Sequence, residues 1–211
     1  KSMIRRVWDR AKLGFNKKNI YIATDSKKIL NHCLEFTMNT ILTSDKCLTG
    51  TDRVAECARK IDADVFVNIQ GDEPLISPYD IKRLINQIKK NPDTVFNFMK
   101  KIESDLEYKS KDIPKVITDS KNNLLFMSRL PVPISDNYKQ AYKQVCIYSF
   151  PKKILKFYGL NKKKTKNEVL ENIEILRLLD NGVNVKMIKT VNKSYAIDRQ
   201  EDIKKVLKLI P

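Results

Sequence analysis

The sequence predicts an α/β fold built on a doubly wound, mainly parallel mixed sheet, and three observations lead there. Short β-branched or aromatic runs alternate with amphipathic runs at helical spacing through the first half of the chain. The run Val65, Phe66, Val67 and Ile69 fits a strand buried on both faces of a parallel sheet better than it fits a helix. That strand ends in a polar knot, Gln70-Gly71-Asp72-Glu73, at the carboxyl edge where open α/β sheets place their ligands. Two adjacent carboxylates at such a crevice suit a hard cation such as Mg²⁺, which takes oxygen ligands alongside substrate phosphates. Plain loop or helix-capping residues are the competing reading of the same carboxylates.

Each element has a local reason. Met3, Ile4, Val7, Trp8 and Ala11 recur at helical spacing, and Gly14 is placed to end that helix. Residues 19–24 form a strand candidate, and Asp25 or Ser26 can cap the helix carrying Ile29, Leu30, Cys33 and Leu34. Residues 40–43 read as a second short strand. Thr49 precedes an amphipathic run, Val54, Ala55, Ala58 and Ile61, and reads as a helix cap. The same helix start, with Gly50, free backbone N–H groups and Arg53 one turn in, can also hold a base or a phosphate. After the central strand come a helix with Ile81, Leu84, Ile85 and Ile88 and a strand at 94–99.

From 103 to 143 the rhythm changes. Segments 115–118 and 124–128 flank the turn-prone Asp119-Ser120-Lys121-Asn122-Asn123 and read as a hairpin, after which Pro131 and Pro133 force an extended connection. A strand at 144–150 follows, then helices at 152–158 and 167–179, the second closed by Gly182. A last strand spans 183–188, and Asp198 precedes a final helix with Ile203, Val206 and Leu207. The chain therefore reads as one domain, 1–211, with 103–143 as an inserted hairpin or arm that serves as a lid or a dimerisation surface.

Composition narrows the function classes. A 211-residue chain with 42% hydrophobic and 31% charged residues can build a full core. It has no long uncharged apolar run and no charged-then-apolar leader, so a cytoplasmic protein without a membrane span is expected. A net charge of +16 would ordinarily raise nucleic acid or an anionic membrane as partner. Here the basic residues are dispersed and mostly Lys, and the densest run, Lys162-Lys163-Lys164 with Lys166, has no interleaved aromatics. It reads as a solvated connector, and neither nucleic acid nor membrane is expected. Cys33, Cys47, Cys57 and Cys146 show no C-x-x-C spacing, which gives no support to a zinc knuckle or a redox pair. His32, the only histidine, lies beside Cys33 in an expected helix, so neither a Ser-His-Asp triad nor a multi-histidine metal site has a basis.

Six motifs then fall into one order. They are Thr-Gly-Thr-Asp-Arg at 49–53, Gln-Gly-Asp-Glu-Pro at 70–74, Phe-Met-Ser-Arg followed by Pro-Val-Pro at 126–133, Ile147-Tyr148, Glu171-Asn172-Ile173-Glu174-Ile175-Leu176-Arg177, and Ala196-Ile197-Asp198 followed by Glu201-Asp202. Together they resemble the 3-deoxy-manno-octulosonate cytidylyltransferases, the CMP-Kdo synthetases, over essentially the whole chain. The resemblance implies a nucleotide-diphospho-sugar transferase-like, Rossmann-like fold. It also implies the reaction of CTP with Kdo to give CMP-Kdo and pyrophosphate, ahead of lipopolysaccharide assembly, by a homodimer. Mg²⁺ is the implied cofactor, held by Asp72 and Asp198, which are also the implied catalytic residues. Gly50, Thr51, Arg53 and Gln70 match positions that approach the cytidine, while Arg129, Gln144, Tyr148, Glu171 and Glu174 match positions around the sugar. The chemistry is compatible: Arg129 is a bidentate partner for a sugar carboxylate, and Glu171 and Glu174, one helical turn apart, can accept from hydroxyls. Without the resemblance, Asp198 reads as a helix cap, Tyr148 as packing and the glutamates as a solvated helix face.

Two departures carry information. Gln144 stands where better-known members carry a histidine, and Cys146 replaces a nearby glycine. Glutamine cannot ionise and offers both donor and acceptor, which leaves room for an amino-substituted Kdo or another 2-keto acid sugar. Lys1-Ser2-Met3-Ile4 resembles the segment that, in the family, follows a first strand and a basic, glycine-containing phosphate loop, so the chain is expected to lack both. Two alternatives follow. One is a CMP-nonulosonate synthetase acting on sialic or legionaminic acid, against which Arg129, Tyr148 and the Glu171 stretch favour the Kdo branch. The other is a truncated, noncatalytic nucleotide-binding or dimerisation relative.

Overall fold

In the computed structural model, which describes residues 1–134, 137–160, 163–192, 195–197 and 199–209, the elements start where local caps allow. α1 (Met3–Gly14) buries Val7, Trp8 and Ala11. β1 (Ile22–Thr24) is shorter than its sequence suggests because Asn16 caps a 3-10 turn at Lys17–Asn19. Ser26 accepts from the Ile29 N–H and caps α2 (Lys27–Glu35), and β2 (Thr40–Leu42) pairs parallel with β1. Thr49 accepts from the Asp52 N–H and opens α3 (Gly50–Cys57). After β3 (Val65–Ile69), Ser77 caps α4 (Pro78–Lys90), whose first residue is a proline that needs no donor there. β4 (Val95–Lys101) and a short α5 (Asp105–Lys109) lead to the expected hairpin of β5 (Lys115–Thr118) and β6 (Leu124–Ser128). The remainder is β7 (Tyr142–Pro151), α6 (Lys152–Leu160), α7 (Lys166–Glu171), α8 (Leu176–Asp180), β8 (Val185–Thr190) and α9 (Gln200–Leu207).

β7 is the hub of the sheet. β4 runs antiparallel along one of its edges, while β3 and β5 share the other, β3 opposite residues 147–151 and β5 opposite 142–143. β8 extends the sheet parallel to β4, and β6 closes the far side on β5. The α/β character and the mixed sheet are as expected. The neighbour of β3 is not: it pairs antiparallel with β7, and its residues alternate between buried and half-buried. Among the described residues the parallel pairings are β1 with β2 and β4 with β8. A β-branched apolar run signals a buried strand, but strand direction resides in the backbone ladder, which side-chain periodicity does not encode.

Two cores cover the two faces. On one, Val95, Met99, Phe150 and Val185 pack against Ala55 of α3, Leu155 and Tyr158 of α6, and Leu176 and Leu178 of α8. On the other, Phe96, Phe98, Val145 and Ile147 meet Val7 and Ala11 of α1 and Ile81 and Leu84 of α4. Gly14, expected as a helix stop, has a packing role as well: a Cβ there would lie 2.7 Å from Cβ of Ile81, so only glycine lets α1 close on α4.

The single helix expected over 167–179 is two helices. Asn172 sits at φ 51°, ψ 49°, a left-handed conformation that ends α7 and that asparagine tolerates better than most residues. Its apolar spacing suits a helix throughout, so the break is set by this one residue and by what Glu171 and Glu174 contact on either side. Gly182, at φ 73°, does close α8, with the Gly182 and Val183 N–H groups returning to the carbonyls of Leu179 and Leu178.

Candidate active site

A cavity of about 750 Å³ opens where β3 ends alongside the first half of the antiparallel β7. Gln70, Asp72 and Glu73 line it from the turn after β3, and Gln144, Cys146 and Tyr148 line it from one face of β7. Arg129 enters from the end of β6, and Glu174 from the break between α7 and α8. The Gln70 N–H donates to the Cys146 carbonyl at 3.4 Å, which keeps the end of β3 against the middle of β7 as far as the cavity.

The residues expected around a nucleotide meet through Glu174. Its Oε2 accepts from the Thr51 N–H at 2.9 Å and its Oε1 from the Gln70 side chain at 3.1 Å, and Gly50 lies alongside. Burial pushes the Glu174 carboxyl above its ordinary range, and the hydrogen bonds from Thr51 and Thr49 pull it partly back. Glu174, which the resemblance sets on the sugar side, is bonded here to Thr51 and Gln70. Arg53 points elsewhere: it donates to Thr43 at 2.5 Å and pairs with Asp25 at 3.1 Å, outside the cavity lining. Asn68, one residue before the end of β3, was not singled out. Its buried Nδ2 has no protein partner among the described residues and lies 3.8 Å from where a Cβ on Gly50 would be. A polar side chain inside an apolar strand is the signal that could have found it.

On the sugar side the geometry revises two roles. Arg129 spends four N–H groups on backbone carbonyls, those of Glu171, Lys111, Asp112 and Asn172, at 2.7 to 3.1 Å. A guanidinium so engaged has no bidentate face to offer a carboxylate, although its charge still faces the cavity. Glu171 is likewise committed, accepting from the Ser128 hydroxyl at 2.9 Å and the Arg129 N–H at 2.8 Å, and it lies outside the cavity lining. These two residues build the wall between β6 and α7. Tyr148 is buried and stacked on Phe150 with ring centroids 5.8 Å apart. Burial, then the negative groups around it, holds its hydroxyl in the protonated form.

The carboxylates give the cavity a negative pole. Burial, then Glu73 and Asp72, pushes the Cys146 thiol well above its usual range. Glu73, the second of the two adjacent carboxylates read from the strand-end knot, is buried at the cavity wall beside Asp72, although the resemblance implies only Asp72 of the pair. Asp198 lies outside the described residues. The neighbouring Ile197 N–H donates to the Asp72 carbonyl at 3.0 Å, so the chain entering that position is bonded to the backbone of Asp72. Oxygen donors at a negative pole are the right chemistry for Mg²⁺. Lys143, Lys164, Arg199 and Lys205 also line the cavity, with Lys143 paired to Glu107, Arg199 to Asp112 and Lys205 to Asp202.

Comparisons with known proteins identify the family. The family model described as cytidylyltransferase matches residues 1–209. The 3-deoxy-manno-octulosonate cytidylyltransferase of Thermodesulfovibrio yellowstonii is 33% identical over 222 residues, covering 96% of this chain and 86% of that protein. The mitochondrial 3-deoxy-manno-octulosonate cytidylyltransferase of Arabidopsis thaliana is 32% identical, covering 100% of this chain and 74% of that protein. A solved CMP:2-keto-3-deoxy-manno-octonic acid synthetase in complex with CTP superposes with a TM-score of 0.89 at 29% identity, over 99% of this chain and 87% of that one. The Anaerococcus prevotii 4-diphosphocytidyl-2C-methyl-D-erythritol synthase shares the fold, with a TM-score of 0.64 at 16% identity. The chain belongs to the cytidylyltransferase family and groups with the 3-deoxy-manno-octulosonate cytidylyltransferases.

Proposed function

We propose that this chain transfers CMP from CTP to an acidic 2-keto sugar, Kdo or a close analogue such as an amino-substituted Kdo, and releases pyrophosphate. One observation carries the reading: a single cavity joins Gln70 and Glu174, the latter held from behind by the buried Thr51, to the strand-end carboxylates and to the Gln144–Tyr148 face of β7. It has room for a nucleotide and a sugar side by side. The sugar's anomeric oxygen bonds the α-phosphorus as the bond to the bridging oxygen of pyrophosphate breaks, and the hydroxyl proton is lost. Positioning two anions is the main difficulty, and orienting them in one cavity is what the protein contributes.

Asp72 and Asp198 would hold Mg²⁺, as the resemblance implies, and the presence of Asp72 and Glu73 in the cavity lining supports this reading. When bound, the ion neutralises charge on the phosphates. The protein's own contribution is to seat the base side near Gln70 and Thr51 and the sugar against β7. A cytoplasmic homodimer acting before lipopolysaccharide assembly belongs to the same proposal. Exposed Leu125, Leu130 and Ile134 along 103–143 support that segment as the dimer arm. No helix among the described residues is long and apolar enough to cross a membrane.

The test is pyrophosphate release from CTP with Kdo and Mg²⁺. Asp72→Asn is expected to lower kcat by roughly 100-fold or more with its circular dichroism unchanged, because a charged oxygen donor is lost from the cavity. No release with Kdo, its amino-substituted analogues or nine-carbon acid sugars would overturn the proposal. Sedimentation equilibrium showing only monomers would remove the dimer.

A further inference from the structure

A fully buried asparagine interrupts β4. Phe96 and Phe98 face the α1–α4 core, and Asn97 between them faces the cavity side of the sheet. At this point the β4–β7 register slips: Asn97 pairs with Tyr148 but Phe98 with Val145, so β7 bulges between them. The Asn97 Nδ2 reaches the Val145 and Ile147 carbonyls at 3.0 and 2.8 Å. Carbonyls only accept, so the group facing them is the NH₂ and both its hydrogens are used. The Asn97 Oδ1 then faces Gln144, whose Nε2 donates to it at 3.1 Å. This in turn fixes the second amide. Gln144 presents its nitrogen to Asn97 and, with its backbone N–H tied to the Pro114 carbonyl at 3.0 Å, turns its Oε1 away from that bond. Gln144 is half-buried and lines the cavity, and its Oε1 makes no hydrogen bond to a described residue.

We infer that Gln144 determines sugar specificity as a hydrogen-bond acceptor through its Oε1, oriented by Asn97, for a donor carried by the sugar acid, either a hydroxyl or an amino group. This rests on the proposed transfer to an acidic sugar and adds to it the chemistry of one sugar position. A substituent that only accepts, such as a ketone, an ether oxygen or fluorine, is rejected there because two acceptors would face each other. An imidazole could present either polarity by changing tautomer; this amide, locked at its nitrogen end, cannot. Asn97 is the positioning residue and Gln144 the one that touches substrate.

The test is a cycle between protein and ligand. Pyrophosphate release is measured for the wild type, Gln144→Leu and Asn97→Ser with CTP and Kdo, and with Kdo analogues in which each free hydroxyl in turn is replaced by fluorine. Fluorine takes the place of the hydroxyl but cannot donate. At one position fluorination is expected to cost the wild type roughly tenfold in kcat/KM for the sugar and Gln144→Leu no more than about twofold, with KM for CTP unchanged in both. Asn97→Ser is expected to shrink the same discrimination without moving KM for CTP, which a general loss of structure would not do. An analogue with an amino group at that position then separates the sources. Faster turnover than the parent assigns an amine as the donor, and slower turnover assigns a hydroxyl. If the wild type discriminates at no hydroxyl, or Gln144→Leu discriminates equally, the inference is wrong while the transferase reading stands. If no acidic sugar is turned over at all, the transferase reading fails first and this falls with it.

Discussion

Lys115 shows how one side chain can hold the wall of the cavity. It is fully buried, and its Nζ donates to the carbonyls of Ser110, Ile113 and Arg129 at 2.6, 2.7 and 2.6 Å, one for each ammonium hydrogen. Burial, then the charge of Arg129, pushes it down to about 8. Lys115→Met leaves those carbonyls without a donor, and urea unfolding at pH 7 should show a loss of about 2–4 kcal/mol. The sign of the pH effect follows from proton counts. Between about 8 and the unfolded value of 10.5 the unfolded chain binds more protons, so this group's contribution to stability rises with pH across that window. The wild type should show that rise, and Lys115→Met should lack it. Nothing in the pattern around Lys115 marks it: in sequence it is one lysine among many at the start of a strand, and only the fold brings three carbonyls to it.

At the scale of elements, helix ends repay attention because a single dihedral decides them. α2 ends with Thr37 at φ 51°, and the Thr37 and Met38 N–H groups bond to the carbonyls of Leu34 and Cys33 at 3.1 and 2.9 Å. A β-branched residue is costly in this left-handed position, and glycine is the residue it favours. Thr37→Gly should therefore raise the thermal midpoint, with a gain of about 1 kcal/mol. If it destabilises, side-chain contacts of Thr37 outweigh the strain. Asn172 occupies the same region of backbone space, but its position is functional: it ends α7 so that Glu171 turns to β6 and Glu174 to the α3 start. Helix caps at Ser26 and Thr49 and the glycine stop at Gly182 were legible because their chemistry is local. The α7–α8 break was not, because the apolar spacing runs through it and only long-range partners for two glutamates reveal it.

Across the whole molecule, Arg177 joins the helices that frame the site. It is fully buried, pairs with Glu168 of α7 at 2.7 Å and Asp52 of α3 at 2.9 Å, and lies 3.9 Å from the ring centroid of Tyr158 in α6. Arg177→Met strands two carboxylates, one of them fully buried, and is expected to cost about 3–5 kcal/mol in urea unfolding. Arg177→Lys should recover only part of this, since an ammonium cannot reproduce the forked contacts. A loss below about 1 kcal/mol for Arg177→Met would show that the cluster does not hold these helices together.

By itself the amino-acid sequence determined the α/β alternation, the caps of α2 and α3, the glycine stop of α8 and the order of motifs that places the chain in its family, because each depends on neighbours within a few residues or on the identity of the motif. Tertiary structure alone decided that β3 pairs antiparallel with β7, that Arg129 and Glu171 build a wall, that Glu174 joins Thr51 and Gln70, and that Asn97 orients Gln144. Those outcomes depend on which carbonyls and amides meet across the sheet. Hydrogen-bond partners far apart in the chain leave no periodic trace in it.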